Sequence, residues 1–511
     1  MSSQLPPDHF LNQPRPGFVV GGADGFVDTT TLAAHDFDVD SRSGFMPPDP
    51  PLSRLPIEWE PWEMILDQAV LMKLQLAVKP GLTEDEIAQS ASWRESTRDN
   101  VSYFSPASLV ITLFTYLGFS NVSPFALRVG MSTYITQLPM LSIKGLTASE
   151  LLLRRAHHVL TFILHMYIHT LPLDAEIRIP PNISIPLLEV AAHLQLPPIA
   201  TYSDTVLYNW SLKSPTDETI PPALDNLRSQ DLFTGTNDEQ EFYLASSRIE
   251  IRGVEALELM RATMDEIFVG DEIAVRRITR YLHELASVVD DLTSILLDVR
   301  KGCDPEFFYH SIRPWFRGED SDLMNRKWIF EGLDEHPEIG PPTDLSGPSA
   351  GQSALIHALD IFLGLDNCNV GEDLLYDDRW TLLRRMQIYM PRHHRNFLCH
   401  LTANPRPVRN IVIGGDPGLI EAYNDAVHAV KQFRDAHIRI VALYIIIPAT
   451  REKRAAKVAE EAGLDEERPP LRGTGGTHLV QFLRGVRDKT AEAVVGAESN
   501  SASGVTLEGV K

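Results

Sequence analysis

The chain has 511 residues, of which 43% are hydrophobic and 23% charged, an ordinary composition for a globular protein with a large core. Asp and Glu outnumber Lys and Arg by 69 to 46, so the formal net charge is −23, and a surface this acidic repels the phosphates of nucleic acids and anionic membranes. Three cysteines occur, Cys303, Cys368 and Cys399, which excludes a disulfide framework or a cysteine-ligated metal cluster and favours a reducing compartment.

Targeting signals are not evident in the sequence. The start, MSSQLPPDHFLNQPRPGF, lacks the basic and apolar regions of a secretory signal, and no apolar run approaches the roughly 18 residues that a membrane helix needs. We therefore expect a soluble, cytoplasmic protein with neither nucleic acid nor membrane as a partner. At roughly 150 residues per domain, the length allows two to four domains.

The first half of the chain begins with a proline-rich arm, residues 1–50, whose lack of periodicity predicts an extended or disordered segment. Helical patterns then define a small helical domain, residues 51–225. Within it, LLLRRAHHVLTFILHMYIHT at residues 151–170 is too short in its apolar part to cross a bilayer and predicts a buried helix. His165 and His169 lie one turn apart there, either as two metal ligands or as part of a packed helix face.

The second half begins after a turn-rich stretch at residues 214–237, which we interpret as a linker. A large helical domain is predicted over residues 226–495, followed by a tail, residues 496–511. Its strongest signal is a run of apolar residues at helical spacing, namely Ile273, Ile278, Leu282, Leu285, Val289, Leu292, Leu296 and Val299. IVALYIII at residues 440–447 continues a helical pattern, and strand-like alternation is scarce. The predicted fold class is all-α, with two helical domains.

A histidine-bearing segment, LLRRMQIYMPRHHRNFL at residues 382–398, repeats apolar residues at intervals of three and four, the spacing of one buried helix face. His393 and His394 fall on this stripe, so at least one imidazole points into an apolar interior. Pro391 lies inside the pattern and should bend the helix just before them. The pattern leaves two interpretations open: a core histidine hydrogen-bonded to backbone, or an axial ligand of haem iron.

A turn of small residues, GPSAGQS at residues 347–353, precedes an apolar helical pattern, and unpaired N–H groups at a helix start suit a carboxylate or phosphate. The same letters match the Gly-x-Ser-x-Gly elbow of a serine hydrolase, with Ser349 as nucleophile. That elbow requires a strand directly before the serine, whereas the preceding EHPEIGPPTDLSG is a proline-rich loop. The hydrolase is therefore a remote alternative.

Three further stretches could line a ligand site. FYLASSRIE at residues 242–250 combines aromatic and small hydroxyl residues, and FYHSIRPWF places Phe308 and Arg313 five residues apart, able to form different walls of one cavity. An arginine near an aromatic ring suits a ligand with a flat ring and a carboxylate, although surface salt bridges explain most arginines equally well. GTGGT at residues 473–477 lacks a P-loop lysine and a preceding strand, which favours a mobile lid or a linker.

Taken in chain order, these stretches resemble the indoleamine 2,3-dioxygenase family, haem enzymes that open the indole ring of tryptophan with dioxygen. YMPRHHRNFLCHL resembles the proximal-histidine motif, which in the family reads Tyr-Met-Pro, two variable residues, then His-Arg-Asn-Phe. The resemblance thus places the haem ligand at His394 and leaves His393 on a variable position. GPSAGQSALIHALD resembles the loop over the haem edge, although Pro348, Ala354 and His357 depart from it.

The same resemblance assigns the remaining site residues. LPPIATYSDTVLYNW supplies a pocket tyrosine, and GTGGT resembles a loop that closes over the substrate, although Tyr309 and the wall around Thr205 depart from the family pattern. The implied catalytic residues are Arg313, Phe308 and Ser246. The implied substrate-binding residues are Tyr202, Phe242, Phe308, Arg313, Ala350 and Thr474. The implied cofactor-binding residues are His394, Ser349, Gly351 and Asp360, with His394 as the iron ligand.

The resemblance covers about residues 44–80 and 138–495, while residues from about 84 to 138 look like an insertion. It implies a smaller N-terminal helical domain capping a larger one that holds haem b. It also implies a monomer that converts L-tryptophan and O2 to N-formylkynurenine, the first step of the kynurenine pathway, with an unidentified electron donor keeping the haem ferrous. Alternatives are a haem protein of the same fold with weak tryptophan activity or another indole substrate, and the serine hydrolase.

Overall fold

The computed structural model describes residues 37–98, 138–215, 222–365, 384–404, 406–461 and 479–496, and these are mainly helical, as predicted. The longer helices are α1 Glu60–Met72, α2 Glu84–Arg98, α3 Glu150–His169, α4 Pro181–Leu194, α5 Asn237–Arg252, α6 Val254–Val269, α7 Glu272–Asp298, α8 Ala354–Leu363, α9 Arg392–Thr402, α10 Pro417–Val441, α11 Ile447–Glu461 and α12 Leu479–Glu492. Short strands are β1 Ile177–Ile179, β2 Ser211–Leu212, β3 Leu227–Arg228 and β4 Trp328–Phe330. β1 pairs with β4 in parallel, and β2 pairs with β3 antiparallel.

Helix α3 is the buried helix that its composition predicts. Every residue from Leu153 to Ile168 is buried, so the helix has no solvent face and other elements surround it. Its histidines therefore have protein rather than water as their surroundings.

Helix α7 carries the apolar run that the sequence singled out. The Asp271 carboxylate caps it by accepting a hydrogen bond of 2.7 Å from the Ala274 amide. Ile278 and the apolar residues that follow it up to Leu292 are buried, but Ile273 is 51% exposed. Ile273 lies in the helix as predicted, but Ala274 rather than Ile273 occupies the inward position in the first turn.

Three π-helical turns occur in the described ranges: Ser203–Leu207, Phe308–Ile312 and Ala442–Ile446. The third joins α10 to α11, which confirms a helical rather than a strand conformation for residues 440–447. The first follows Tyr202 directly, and the second ends at Arg313. Because a π-turn widens the helix by one residue and redirects side chains, such turns are often found at functional sites.

Buried apolar residues form two large clusters. The first surrounds α1 to α4 and continues to Phe308, Phe316 and Tyr444. The second lies between α6, α7, α8, α9 and α10. The first cluster thus crosses the predicted boundary at residues 225 and 226, and the division into two domains stays a prediction.

The predicted N-terminal arm includes a packed segment. Phe45 and Met46 are each 1% exposed, so the prediction of an extended or disordered arm is wrong for this part. The reason is that aromatic and apolar residues interrupt the proline-rich composition here and find a hydrophobic surface to cover. Residues 1–36 lie outside the described ranges.

The predicted insertion begins with a helix that belongs to the core. Trp93 of α2 is 1% exposed, and its indole N–H donates to the Ile65 carbonyl of α1 at 3.2 Å. At the other end of the insertion, the Leu138 amide donates to the Ser96 carbonyl at 2.8 Å. Residues 99–137 between them lie outside the described ranges.

The predicted linker at residues 214–237 includes regular structure in its described residues. β3 of this stretch pairs with β2, and the Thr236 hydroxyl caps α5 by accepting from the Glu239 amide. Residues 216–221 are not among those described. Across the described parts of the chain, no helix has the length and apolarity to cross a membrane.

Candidate active site

His394 lies in the first turn of α9 and is completely buried, at 0% exposure. Its Nε2 is 3.3 Å from the Asp38 carbonyl oxygen, and its Nδ1 has no hydrogen-bond partner among the described residues. Burial lowers the pKa of its imidazole to about 4, so the ring is neutral at physiological pH. A neutral imidazole with one nitrogen held by a carbonyl and the other left over is the arrangement of a metal-ligating histidine.

His393, the neighbouring histidine, points to a different partner. Its Nε2 is 3.5 Å from the carboxylate of Glu150, which also accepts from Arg392 at 2.6 Å. His393 is therefore tied to a half-exposed ion-pair network, whereas His394 alone enters the apolar interior. Periodicity left this choice open, and the packing resolves it.

The sequence predicted that Pro391 bends a continuous helix, and this prediction is wrong. Pro391 instead directly precedes the first residue of α9. Residues 384–387 form a separate short helical stretch. The carbonyls released by this break accept hydrogen bonds from the Arg395 guanidinium, at 3.2 Å from Ile388 and 2.7 Å from Met390. Starting a new helix avoids the lost hydrogen bond and ring clash of an interior proline.

An aromatic group lies where α5 meets the π-turn Phe308–Ile312. The ring centroids of Phe242 and Phe308 are 4.4 Å apart, and Phe308 contacts Tyr444 edge-on at 5.6 Å. Phe316 lies 6.0 Å from Phe242. The structure thus brings the two predicted phenylalanines together, and Tyr444 joins them from the π-turn between α10 and α11. Sequence reasoning missed Tyr444, because it lies more than a hundred residues beyond the others.

Arg313 ends the π-turn that carries Phe308, and it is 5% exposed. Burial, together with the neighbouring Arg317, lowers the pKa of its guanidinium to about 10, which still leaves it charged at neutral pH. Its guanidinium carbon lies 5.8 Å from the centroid of the Tyr309 ring. A buried cation next to aromatic rings matches a ligand with a flat ring and a carboxylate.

Tyr202, just before the first π-turn, contacts a polar group on the next part of α5. The Tyr202 hydroxyl donates to Glu250 Oε1 at 2.8 Å, and the Ser353 hydroxyl donates to the same oxygen at 2.7 Å. Ser246 lies one helical turn before Glu250 on α5. Burial raises the pKa of the Glu250 carboxyl to about 7.

Glu250 is the functional candidate that sequence reasoning passed over. Phe242, Ser246 and Glu250 are spaced by four residues and therefore share one face of α5. This spacing was the available signal. Its second oxygen, Oε2, has no hydrogen-bond partner among the described residues.

The loop of residues 347–353 is held against the Arg313 segment by close backbone packing. A Cβ added at Gly347 would lie 1.8 Å from the Phe316 carbonyl oxygen, so only glycine fits. Gln352 fixes the far side, donating to the Gly347 carbonyl at 3.0 Å and accepting from the Tyr202 amide at 2.8 Å. The loop therefore connects Tyr202 with the segment that carries Phe308 and Arg313.

Ser349, Ala350 and Gly351 form the outer part of this loop, half-buried or exposed. The Ser349 hydroxyl accepts from the Gly351 amide at 3.2 Å, so it stabilises its own turn. No strand occurs in the described residues just before Ser349, and the geometry of a serine-hydrolase elbow is not formed there.

Asp360 is 6% exposed, and both of its carboxylate oxygens accept from a single nitrogen of Arg434, Nη2, at 2.5 and 2.6 Å. It connects α8, the helix after the loop, to α10. A direct cofactor contact by Asp360 stays a prediction. Thr474 lies outside the described residues.

His165 and His169 bind backbone rather than a metal. His165 Nδ1 is 2.6 Å from the Trp315 carbonyl oxygen, and its Nε2 accepts from the Ala200 amide at 3.3 Å. His169 Nε2 is 3.1 Å from the Arg317 carbonyl oxygen. They thus attach α3 to the segment that follows Arg313, which is the packed-face interpretation.

These features define a helical protein with a histidine competent to ligate a metal, and with an aromatic wall and a buried arginine suited to a small aromatic acid. The family model described as "Indoleamine 2,3-dioxygenase" matches residues 33–493. The chain belongs to the indoleamine 2,3-dioxygenase family and is an oxidoreductase of the dioxygenase type.

Individual relatives agree with this assignment. Indoleamine 2,3-dioxygenase 1 of Mus musculus is 32% identical over 71% of this chain and 84% of its own length. Indoleamine 2,3-dioxygenase of Saccharomyces cerevisiae is 34% identical over 66% of this chain and 77% of its own. A 6-hydroxytryptophan 2,3-dioxygenase of Fusarium equiseti is 27% identical over 90% of this chain and 97% of its own.

Proposed function

We propose that the protein binds haem b through His394 and inserts both atoms of O2 across the indole C2–C3 bond of L-tryptophan, giving N-formylkynurenine. The observation that carries this proposal is the His394 imidazole in the first turn of α9, which is completely buried and which burial keeps neutral. When bound, haem supplies the dioxygen-binding iron and the oxidation chemistry. The histidine fits that group, because a ferrous haem needs a neutral imidazole on its proximal side.

The protein's own residues bind and orient the substrate in this proposal. Arg313 pairs with the tryptophan carboxylate, and Phe308 packs on the indole ring. Phe242 and Ala350 line the same pocket, and the Ser246 side chain contributes a hydroxyl group to it. The product contains all atoms of tryptophan plus both oxygens, so the side chains need not remove a proton.

The remaining residues shape the site. Tyr202 forms a pocket wall fixed by its hydrogen bond to Glu250, and Ser349 and Gly351 lie in the loop assigned to the haem edge. Asp360 holds the helix after that loop through Arg434. Thr474 belongs to the loop that we propose to close over the substrate and exclude water.

The test combines a visible spectrum with product analysis. The purified protein should show a Soret band and, with a reductant, convert L-tryptophan to N-formylkynurenine carrying both atoms of isotopically labelled dioxygen. His394→Ala should lose the Soret band, whereas His393→Ala, the matched control, should keep it because its ring faces Glu150. A wild-type protein without haem, or loss of haem only in His393→Ala, contradicts the proposal.

A second candidate substrate is a ring-hydroxylated tryptophan. The observation that favours it is the 6-hydroxytryptophan 2,3-dioxygenase of Fusarium equiseti, which aligns with 90% of this chain. Measuring kcat/KM for tryptophan and for 6-hydroxytryptophan side by side decides between them. A higher kcat/KM for 6-hydroxytryptophan would replace tryptophan as the proposed substrate and would leave the proposal that His394 binds haem unchanged.

The cellular setting completes the proposal. We assign the protein to the cytoplasm, as a monomer that performs the first step of the kynurenine pathway. An electron donor, not identified by the sequence, keeps the haem ferrous. Size-exclusion chromatography with light scattering tests the monomer.

A further inference from the structure

Two adjacent histidines of α3, His157 and His158, are each 1% exposed and lie outside the candidate active site. They belong to a largely buried group of ionisable side chains, which we name the α3 charge cluster. Its members are Glu63, Arg155, His157, His158, Asp204 and Asp231. Burying such a group is costly unless its charges are paired and its hydrogen bonds are complete. The hydrogen-bond partners therefore indicate which members carry a charge.

Both ring nitrogens of His157 face acceptors. Nδ1 lies 2.8 Å from Asp204 Oδ1, and Nε2 lies 3.1 Å from the Pro197 carbonyl oxygen. A neutral imidazole has only one N–H and would leave one acceptor facing a lone pair, so only the imidazolium satisfies both. Burial opposes this charge, but the Asp204 carboxylate outweighs burial and raises the pKa of the His157 imidazole.

His158 has the same arrangement. Its Nδ1 lies 2.9 Å from the Asp204 carbonyl oxygen, and its Nε2 lies 3.0 Å from the Asp231 carboxylate. The ring also stacks on Phe162, with a centroid distance of 4.5 Å, and the face of an aromatic ring attracts a cation. His158 therefore also satisfies its partners only as an imidazolium.

His165, about two turns further along α3, shows the opposite arrangement. Its Nδ1 faces the Trp315 carbonyl oxygen at 2.6 Å, whereas its Nε2 accepts from the Ala200 amide at 3.3 Å. One acceptor and one donor suit a neutral ring, and burial lowers the pKa of this imidazole to about 4. The partners, and not burial alone, thus decide the charge of each histidine on this helix.

The charges of the α3 charge cluster balance when both rings are protonated. The Arg155 guanidinium donates to Glu63 at 2.9 and 2.6 Å and to Asp231 at 2.7 Å. Asp204 Oδ2 accepts from the amide and the hydroxyl of Thr201, both at 2.8 Å, as an ionised carboxylate does. Three carboxylates thus face one guanidinium, and two imidazolium ions supply the missing positive charge.

Neighbouring groups leave this balance intact. Arg154, next to Arg155 on α3, pairs with Glu150 and Asp38 instead. His165 is neutral, and the segment after α4 contributes the uncharged Pro197 carbonyl.

Asp204 connects the α3 charge cluster to Tyr202. It lies in the first π-turn, which follows Tyr202 directly, and its carboxylate binds Thr201, the residue before Tyr202. The Tyr202 amide donates to Gln352 and its hydroxyl donates to Glu250, both at 2.8 Å. The cluster therefore fixes the backbone on both sides of a residue that contacts the loop and the helix of the candidate site.

We propose that His157 and His158 are imidazolium ions in the folded protein and that, through Asp204, they are positioning residues for Tyr202. The inference rests on the proposed function in one respect, namely that Tyr202 forms a wall of the substrate site. As pH rises, loss of a proton from His157 leaves Asp204 without its partner charge and weakens the hold on this turn. Because protonation and binding are linked, a ligand that needs this wall should bind the protonated form more tightly and make the proton harder to remove.

The charge of each ring can be read by NMR from protein labelled with the NMR-active nitrogen isotope in its histidines, with carbon monoxide bound to any reduced haem to remove paramagnetic broadening. The two nitrogens of an imidazolium have similar chemical shifts, whereas those of a neutral ring differ widely. At neutral pH, His157 and His158 should show the charged pattern and His165 the neutral one. Substitution of each by Gln assigns the signals, and the contact with Phe162 assigns His158 independently. A neutral His157 or His158 overturns the inference.

The positioning role is measured with indole-3-propionate, whose binding is followed in the haem spectrum. His157→Gln should weaken its binding by about 5-fold or more, the lower end of coupling between linked sites. In the wild type, indole-3-propionate should shift the deprotonation of His157 to higher pH. Glu250, which also holds Tyr202, is unchanged in both proteins, so the comparison isolates the histidine.

His165→Gln is the matched control, since glutamine supplies the one donor and one acceptor that this neutral ring supplies, and it should bind indole-3-propionate as the wild type does. At position 157 glutamine has no charge and cannot donate to acceptors on opposite sides of the ring. Wild-type affinity in His157→Gln, or equal weakening in His165→Gln, overturns the positioning role. If His157→Gln does not fold, the wild-type titration decides, and a deprotonation of His157 that indole-3-propionate does not shift overturns the role.

Failure of the proposed function gives a different result. A protein that binds neither haem nor indole-3-propionate contradicts the proposed function and overturns the positioning role with it, whatever the charge of the rings. If haem and indole-3-propionate bind but His157 or His158 is neutral, the proposed function stands and only this inference is wrong.

Discussion

Arg313 is a charge kept in the interior. At 5% exposure its guanidinium has given up most of its hydration, and the adjacent Arg317 adds repulsion. Such a group is strongly stabilised by a carboxylate that binds next to it, because the carboxylate accepts hydrogen bonds from the guanidinium in place of water. The position of Arg313 at the end of a π-turn, beside Phe308, places that charge next to the aromatic wall.

Arg313→Ala should weaken the binding of indole-3-propionate, which has a carboxylate, and leave that of tryptamine, which has none, nearly unchanged. The loss should be about 2 to 5 kcal/mol, since one partner of a buried charge pair is removed. Titrating each compound while following the haem spectrum measures both affinities. Equal weakening of the two compounds would mean that Arg313 only supports the fold.

Single residues also mark where prediction from sequence ends. The stripe over residues 386–398 correctly indicated a buried face, since Met390 and His394 are both 0% exposed. It could not separate His393 from His394, because adjacent residues are only 100° apart on a helix and both lie near the edge of such a stripe. The decisive partner, Asp38, lies 356 residues away, beyond any local pattern.

Helix α2 shows that an unfamiliar stretch of sequence can be structural. It begins the segment for which no counterpart in the family was apparent, yet Trp93 packs on α1 and Asn182 of α4 donates to the Thr97 carbonyl at 2.6 Å. The sequence predicted no role for it, since its apolar residues are few. One tryptophan and a few hydrogen bonds carry the attachment.

Trp93→Ala should destabilise the protein by about 3 to 5 kcal/mol, the usual cost of removing a buried tryptophan side chain. Ile87→Ala on the same helix is the control, because Ile87 is 50% exposed and its loss should cost about 0.5 kcal/mol or less. Urea unfolding followed by circular dichroism gives both values. Similar midpoints for the two variants would show that α2 is dispensable for the fold.

For the whole molecule, Glu250 matters because it joins three segments far apart in sequence. Its Oε1 accepts from Tyr202, at the first π-turn, and from Ser353, just before α8, while Glu250 itself is on α5. A carboxyl that is 1% exposed stays neutral to a higher pH than usual. Ionisation of Glu250 therefore places a buried negative charge where these three segments meet. A rise in pH should therefore weaken the packing of all three segments together.

The free energy of unfolding should fall as pH rises toward the pKa of the Glu250 carboxyl, which is about 7 in the folded protein and ordinarily 4.5. The raised pKa means that the folded state binds more protons between these values, so the stability is present below the lower one and is lost above the higher one. The loss is roughly 3 kcal/mol for this carboxyl.

Glu250→Gln should remove that part of the pH dependence, and denaturant unfolding between about pH 5 and about pH 8 at equal haem content measures it. Glu241→Gln is the control, since Glu241 lies on the opposite face of α5 and pairs with Arg248 at 2.8 Å. Parallel pH profiles for wild type and Glu250→Gln contradict the assignment.

At this scale the sequence predicted the helical class well, and the division of the chain into two domains stays a prediction. Helical class follows from local periodicity, as in α7, whose apolar residues repeat at helical spacing. The boundary near residue 225 relied on a change of composition, but buried residues from both sides, such as Trp62 and Phe308, share one cluster. Composition indicates which segments are exposed or form turns, whereas the packing of segments distant in sequence produces no local sequence pattern.

The contact between residues 37–46 and His394 also constrains the order in which parts of the protein fold. At a synthesis rate of roughly 5 to 20 residues per second, the 356 residues from Asp38 to His394 take roughly 20 to 70 s to appear. During that interval Phe45, which is buried in the finished protein, has no α9 to pack against. The segment that completes the surroundings of His394 is thus made well before α9 but can take its final position only after α9 exists, so the nascent protein passes through a stage in which His394 is not yet enclosed.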